Sequence, residues 1–444
     1  MNVFQGVSTI ANLRWVAVFL LLYGLGVTIA IRQAPFYMPD EGAHYLRAYE
    51  VSKLHLINLP SAVGVDIPCR EYIVVAKKYH PIALFQTKAE AEQAEPSCQV
   101  RTINTAGSYS FVPYIPAAAA LALFEKLNWT AESKLLAARI ANFSVWFSIV
   151  FFSLALLEGG RILMASLILM PSFVWQLVAL SADGATLTSC LVYLFFVIRV
   201  AQHKLEVTPG MIAILIVLGF FIGASKGVYA PIALFAFGLW RQLPSKGWLY
   251  RLCVLSCPML AALSAFSAQA VLSDPSLIYL GNGANPALQF TYVVQNPMKF
   301  MSLIMKSFGE MDVTSLVAPG YAVPNSGQGF GIMVVSLAAI SILMVCTDFG
   351  IDKAFRLIAG VLVTITLVGI SLPLYLTYTP LQFDGILGMQ GRYYIPILPI
   401  VFIAFSFKAS DVNWINFFVE LQNRIRWVIF MSALGLIVAV FNIK

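Results

Sequence analysis

Two acids, Asp40 and Glu41, arrive together just past the first apolar run of the chain, followed by His44 and Arg47. In a helix, Asp40, His44 and Arg47 share one face at i, i+4 and i+7, beside the small residues Gly42 and Ala43, and such a face can admit a substrate. A carboxylate partly withdrawn from water near a cation suits a general base that takes the proton of an attacking hydroxyl, a role worth about 10² to 10⁴ in rate. The same residues also make an ordinary helix start, with Pro39 at the first position and acids in the first turn. Another acid, Asp183, sits in Ser181-Ala182-Asp183-Gly184, which equally reads as a turn. Lys226 lies in Ser225-Lys226-Gly227 between two short apolar segments, a pattern that marks binding sites in membrane proteins, and it either holds an anionic head group or snorkels to an interface. Arg139 opens a further apolar run, with the same two readings. In Gln390-Gly391-Arg392-Tyr393-Tyr394-Ile395-Pro396 the arginine and tyrosines are either interfacial anchors or a surface for a phosphate or a sugar. Acids facing cations at head-group depth suit a substrate that carries a phosphate.

The elements that must position these residues are membrane spans. Of the 444 residues, 59% are hydrophobic and only 11% charged, which excludes a soluble fold. Apolar runs long enough to cross a bilayer recur throughout, without the period-two alternation of a β-barrel. The expectation is an all-α polytopic protein, one transmembrane domain over 1–444 with about eleven spans, near 12–31, 140–157, 162–180, 185–201, 211–224, 228–240, 252–272, 329–346, 357–376, 394–407 and 427–443. The net charge of +7 is scattered between these runs, as membrane topology requires, and gives no case for nucleic acid.

Charge also orients the chain. The apolar stretch 109–124, with Pro113 and Pro116, would be a further span on hydropathy alone. If it lies instead on the membrane surface, Arg161, Arg199, Lys204, Arg241, Lys246, Arg251, Lys353, Arg356, Lys408, Arg424 and Arg426 all fall in the cytoplasm, as the positive-inside rule demands. Only Lys226 and Arg392 then occupy short outside loops. The large outside segments become 32–139, carrying juxtamembrane helices, and 273–328. Asp40, Arg139, Asp183, Lys226 and Arg392 all fall on this one extracytoplasmic face. Cys69 and Cys98 are the two cysteines of the first outside loop, where an oxidising compartment favours a disulfide between them. No cysteine spacing matches a zinc site, and two acids with one histidine permit, without demanding, a divalent metal.

The combination of Met38-Pro39-Asp40-Glu41-Gly42-Ala43-His44, the surface helix at 109–124, Ala138-Arg139-Ile140, Ser181-Ala182-Asp183 and Gln390-Gly391-Arg392-Tyr393-Tyr394-Ile395-Pro396 resembles a bacterial family of multi-spanning membrane proteins that looks like a branch of the GT-C glycosyltransferases. The resemblance implies a polyprenyl-phosphate-linked sugar as donor and Asp40 as the base, with Glu41 supporting it or binding the acceptor. It further implies that Asp183 is the acid of the second outside loop and that Lys226, Arg139 and Arg392 stabilise the departing lipid phosphate. From their own placement, His44, Arg47, Gln390 and Tyr393 are expected to bind substrate. In-line attack would invert the anomeric centre. The expected acceptor is a cell-surface or lipid-linked glycan such as O-antigen or teichoic acid, at the outer face of the bacterial inner membrane. The competing readings are a transporter or flippase of a lipid-linked sugar and a non-catalytic subunit for envelope assembly.

Overall fold

A computed structural model describes residues 13–33, 40–57, 65–69, 99–102, 106–244, 247–272, 280–281, 283–310 and 349–406. Five helices in it are long and apolar enough to cross a bilayer, six when one bent pair counts as a single span. The expected spans at 329–346 and 427–443 lie outside the described residues. The protein is a helical membrane protein, and among the described residues one small pairing departs from the all-α expectation: Val65–Pro68 (β1) pairs antiparallel with Gln99–Thr102 (β2).

The chain runs from α1 (Leu13–Arg32) to α2 (Glu41–Ser52), α3 (Ile115–Lys126), α4 (Ala131–Ser153), α5 (Arg161–Ile168), α6 (Pro171–Val178), α7 (Ala182–Gln202) and α8 (Pro209–Ser225). A 3-10 segment, Gly227–Gln242, leads on to α9 (Trp248–Leu272), α10 (Pro286–Gln295), α11 (Pro297–Glu310) and α12 (Lys353–Tyr378). Another 3-10 turn, Gly391–Ile397, continues into α13 (Leu398–Ala404).

Local sequence explains these elements. The expected span 162–180 is two short helices, α5 and α6, bent by 59°; Pro171 cannot donate to the preceding turn and restarts the helix there. The expected span 228–240 contains Pro231 and is wound as a 3-10 helix of 16 residues. At about 2.0 Å rise per residue it covers about 32 Å, the thickness of a hydrocarbon core, so its shortness in sequence is not shortness in space. Helix α3 has 12 residues, or about 18 Å, too little to cross a bilayer. It packs Ala117, Ala118 and Leu121 against Tyr45, Leu46, Ala48 and Tyr49 of α2 and Leu135 of α4.

Helix α8 is held by its glycines. A Cβ on Gly219 would stand 2.3 Å from the Pro258 carbonyl oxygen, and one on Gly223 would stand 1.9 Å from that of Ala262. One turn on, Gly227 meets the Phe266 ring in the same way. The constant offset makes α8 and α9 parallel neighbours whose backbones touch, as small residues four apart permit inside a membrane. Because Lys226 caps the end of α8, this contact fixes its position. Gly223→Val is expected to destabilise the protein by about 1–3 kcal/mol or more through overpacking, read as a lower thermal midpoint in detergent.

Several of the cations expected in the short cytoplasmic loops share one end of the bundle. At one end Arg199 pairs with Glu158 at 2.9 Å, Arg241 approaches Asp352 at 3.8 Å and the Arg356 guanidinium donates to the Ser406 carbonyl. Arg161, Lys204, Arg251 and Lys353 belong to the same end by their places on the helices. Lys246, Lys408, Arg424 and Arg426 lie outside the described residues. The candidate residues gather at the opposite end.

Candidate functional site

Four chain segments bring charge to one place: the turn ahead of α2, the first turn of α7, the end of α8 and the start of Gly391–Ile397. Arg392 Nη2 donates to Asp40 Oδ2 at 3.0 Å, and Arg392 Nη1 stands 4.0 Å from Asp183 Oδ2. The Lys226 ammonium hydrogen-bonds the other oxygen of Asp183. Tyr393 lies between the cations, with Lys226 Nζ 5.3 Å and the Arg392 guanidinium carbon 5.2 Å from its ring centre, and such contacts hold a cation against the negative ring face. The Tyr393 hydroxyl lies 3.3 Å from Arg392 Nη2, and its carbonyl accepts from the Tyr229 hydroxyl at 2.7 Å.

Exposure ranks these groups. The Asp183 and Lys226 side chains are 10% and 14% exposed, Arg392 13%, and Asp40 63%. Asp40 is therefore the acid that faces outward, with both cations behind it. Its backbone is left-handed, φ 62°, a region that aspartate enters more readily than most residues. It stands just ahead of α2 rather than within the first turn as expected, and Pro39 lies outside the described residues. Burial opposes the charge on Lys226, but Asp183 beside it more than compensates, so its pKa is raised and the ammonium is fixed.

Glu41, adjacent in sequence, does something different. Its two oxygens accept from Arg139 Nε at 2.9 Å and Nη2 at 2.6 Å, and the Leu180 amide points at Oε1 at 3.3 Å. Arg139 Nη1 also donates to the Gln33 carbonyl. Both side chains are sealed from water. This bidentate pair ties the end of α1, the start of α2, α4 and the turn before α7 together. Arg139 thus serves Glu41 in place of the departing phosphate expected from the sequence.

Arg47 is likewise turned away, towards Glu50 at 2.8 Å and the carbonyls of Tyr109, His55 and Leu56. Gln390 is half-buried and its carbonyl accepts from the Tyr393 amide. Buried Cys69 is disulfide-bonded; Cys98, its expected partner, lies outside the described residues.

His44 flanks the charged cluster. Its Nδ1 is 2.6 Å from the Tyr114 hydroxyl, and the Tyr109 ring lies 5.3 Å away. Burial, seconded by Lys226, lowers its pKa from 6.5 to about 4, so at neutral pH it is an uncharged hydrogen-bonding group. Burial also raises the Tyr114 phenol, with Tyr109 adding to the effect. Tyr109, Tyr114 and Tyr229 escape a sequence reading because aromatic residues in apolar stretches look like interfacial anchors.

The His44 shift carries a pH prediction. The unfolded chain binds a proton at residue 44 from pH 6.5 downward, whereas the folded protein refuses it until about pH 4. Stability therefore falls as pH falls through that window, by about 1–3 kcal/mol. In detergent, the thermal midpoint of wild type should drop across it more than that of His44→Gln.

Among the described residues, no three His, Cys, Asp or Glu side chains are grouped to hold a metal. What the arrangement offers is one outward carboxylate, one inward carboxylate and two cations. A family model described as a predicted membrane protein, DUF2142, matches residues 22–401. The chain belongs to the DUF2142 family. No curated protein and no solved structure matches it. The matched part of this DUF2142 chain contains Asp40, Asp183, Lys226, Arg392 and Tyr393, the five residues that meet in the cluster.

Proposed function

We propose that this DUF2142 protein is a membrane glycosyltransferase that moves a sugar from a polyprenyl-phosphate donor to a glycan or lipid-linked glycan, at the extracytoplasmic face of a bacterial inner membrane. The observation that carries the reading is the meeting of outward Asp40 with Arg392, Lys226 and Asp183 from four distant segments. An acceptor hydroxyl attacks the anomeric carbon, and its proton passes to the Asp40 carboxylate. The bond from that carbon to the phosphate oxygen breaks, and its electron pair leaves with the lipid phosphate. Arg392 and Lys226 supply positive charge where the negative charge collects, and fixed cations of this kind cost no reorganisation at the moment of reaction. Attack opposite the leaving group inverts the anomeric centre. Asp183 holds Lys226 in place, and Tyr393 spaces the two cations.

Glu41 is excluded from proton transfer in this scheme because Arg139 occupies both its oxygens. Asp40 is the base.

The test is release of polyprenyl phosphate and labelling of acceptor glycan by the purified protein in bacterial-lipid vesicles, supplied with radiolabelled polyprenyl-phosphate hexoses. Arg392→Gln is expected to slow release by about 10² to 10³, the scale for losing one preorganised donor to a developing anion. A wild-type rate in Arg392→Gln, or no release by wild type from any such donor, overturns the reading.

A further inference from the structure

Helices α10 and α11 are not spans, yet they expose large apolar side chains. Phe290 and Val294 of α10 are 53% and 63% exposed; Met298 and Met305 of α11 are 81% and 66% exposed. At about 100° per residue, the side chains of α11 fall into three sectors. Phe300, Leu303, Ile304 and Ser307 form one and are buried against the protein. Met298, Met301, Met305 and Phe308 form the next, and all four are exposed or partly so. Lys299, Ser302, Lys306 and Glu310 form the last. A helix lying in water beside a protein needs only two faces, one buried and one polar. The separate apolar stripe calls for a second apolar neighbour.

The depth of the pair is given by its bonds. Gln289 Nε2 donates to the carbonyls of Tyr375 and Thr379, and the Gly281 amide donates to that of Thr377. All three are at the site end of α12, a candidate span whose Leu357 and Val361 face outward along its length. The pair therefore sits where a span leaves the hydrocarbon, at head-group level, with two lysines on the polar sector of α11.

We infer that α10 and α11 lie in the interface of the leaflet on the site's side, with the Met298–Met301–Met305–Phe308 stripe against phospholipid acyl chains and Lys299 among the head groups. Amphipathic helices with lysine on the polar face bind membranes in this way. The docked pair also holds the segment leading to Arg392: Lys306 pairs with Asp384, the Ile386 amide donates to Ser307 Oγ at 2.7 Å, and the Phe308 ring meets Tyr394 edge-on at 5.4 Å. Lipid contact thereby helps to set the segment that ends in the cationic part of the site. This inference stands apart from the transferase reading.

The test places a photoactivatable amino acid singly at 298, 305, 299 or 302 of the full chain, reconstituted in vesicles of phosphatidylethanolamine and phosphatidylglycerol. After irradiation, intact-mass spectra should show one-phospholipid adducts at 298 and 305 severalfold above those at 299 and 302. Water insertion at all four positions overturns the inference, and so does protein-to-protein crosslinking at 298 and 305, which would assign the stripe to a second copy. All four variants must elute from size exclusion as wild type does; for one that does not, Met305→Trp, with fluorescence quenched by brominated lipid above the level of the native tryptophans, gives the same decision.

Discussion

Asp40→Asn should reduce sugar transfer by about 10² to 10⁴, the worth of a positioned general base, while leaving the fold intact. Asparagine has nearly the same shape and also accepts the left-handed backbone at this position, φ 62°. With a side chain 63% exposed, residue 40 contributes little packing that the substitution could disturb. Arg392 loses one partner but keeps Asp183 at 4.0 Å and the Tyr393 ring. The measurement is turnover of a polyprenyl-phosphate sugar at saturating donor, together with the thermal midpoint. Wild-type turnover in a folded Asp40→Asn protein would remove the base from the mechanism and turn attention to transport or assembly.

Glu41→Gln should do the reverse, damaging the fold first. Its carboxylate is the partner of a buried guanidinium, and the amide left behind cannot neutralise Arg139. Breaking one side of a buried ion pair costs about 3–5 kcal/mol, because the remaining charge is stranded without solvent. The expected result is a strongly lowered midpoint in detergent and poor recovery from membranes. Replacing both partners with apolar residues of similar volume, Glu41→Leu with Arg139→Met, should recover much of the loss. If Glu41→Gln melts with wild type and only its turnover falls, Glu41 belongs to the chemistry and not to the scaffold.

These neighbouring carboxylates show where the sequence is readable and where it stops. Charge counting over short loops gathers Asp40, Asp183, Lys226 and Arg392 at one end of the bundle, because topology depends on the sum of many cations and is insensitive to detail. It cannot pair them. Arg139 and Glu41 are 98 positions apart, and no local rule tells a cation awaiting phosphate from one already bound to an acid. Arg47 shows the same limit at short range: helical spacing puts it with Asp40 and His44, but Glu50 and three loop carbonyls claim its guanidinium.

Helices follow a similar division. Runs such as 185–201 declare themselves by length and hydropathy. The break at Pro171 is legible in principle, since proline restarts a helix, but its bend of 59° depends on the surrounding packing. The 3-10 winding of Gly227–Gln242 is not written in hydropathy, which assumes the rise of an α-helix. The contact of Gly219 and Gly223 with the α9 backbone is written, as two glycines four apart. It gains meaning only once α9 is known to be the neighbour.

The cluster is self-neutralised: two carboxylates, Asp40 and Asp183, stand against two cations, Lys226 and Arg392. In the proposed reaction, an arriving phosphate would not fill a positive hole; it would trade places with an anion already seated there. The outermost carboxylate is Asp40, so on that proposal lodging the phosphate would be the same event that frees the proton acceptor. The proposed mechanism would thereby link occupancy to activation through electroneutrality, and a ligand without charge would have nothing to exchange.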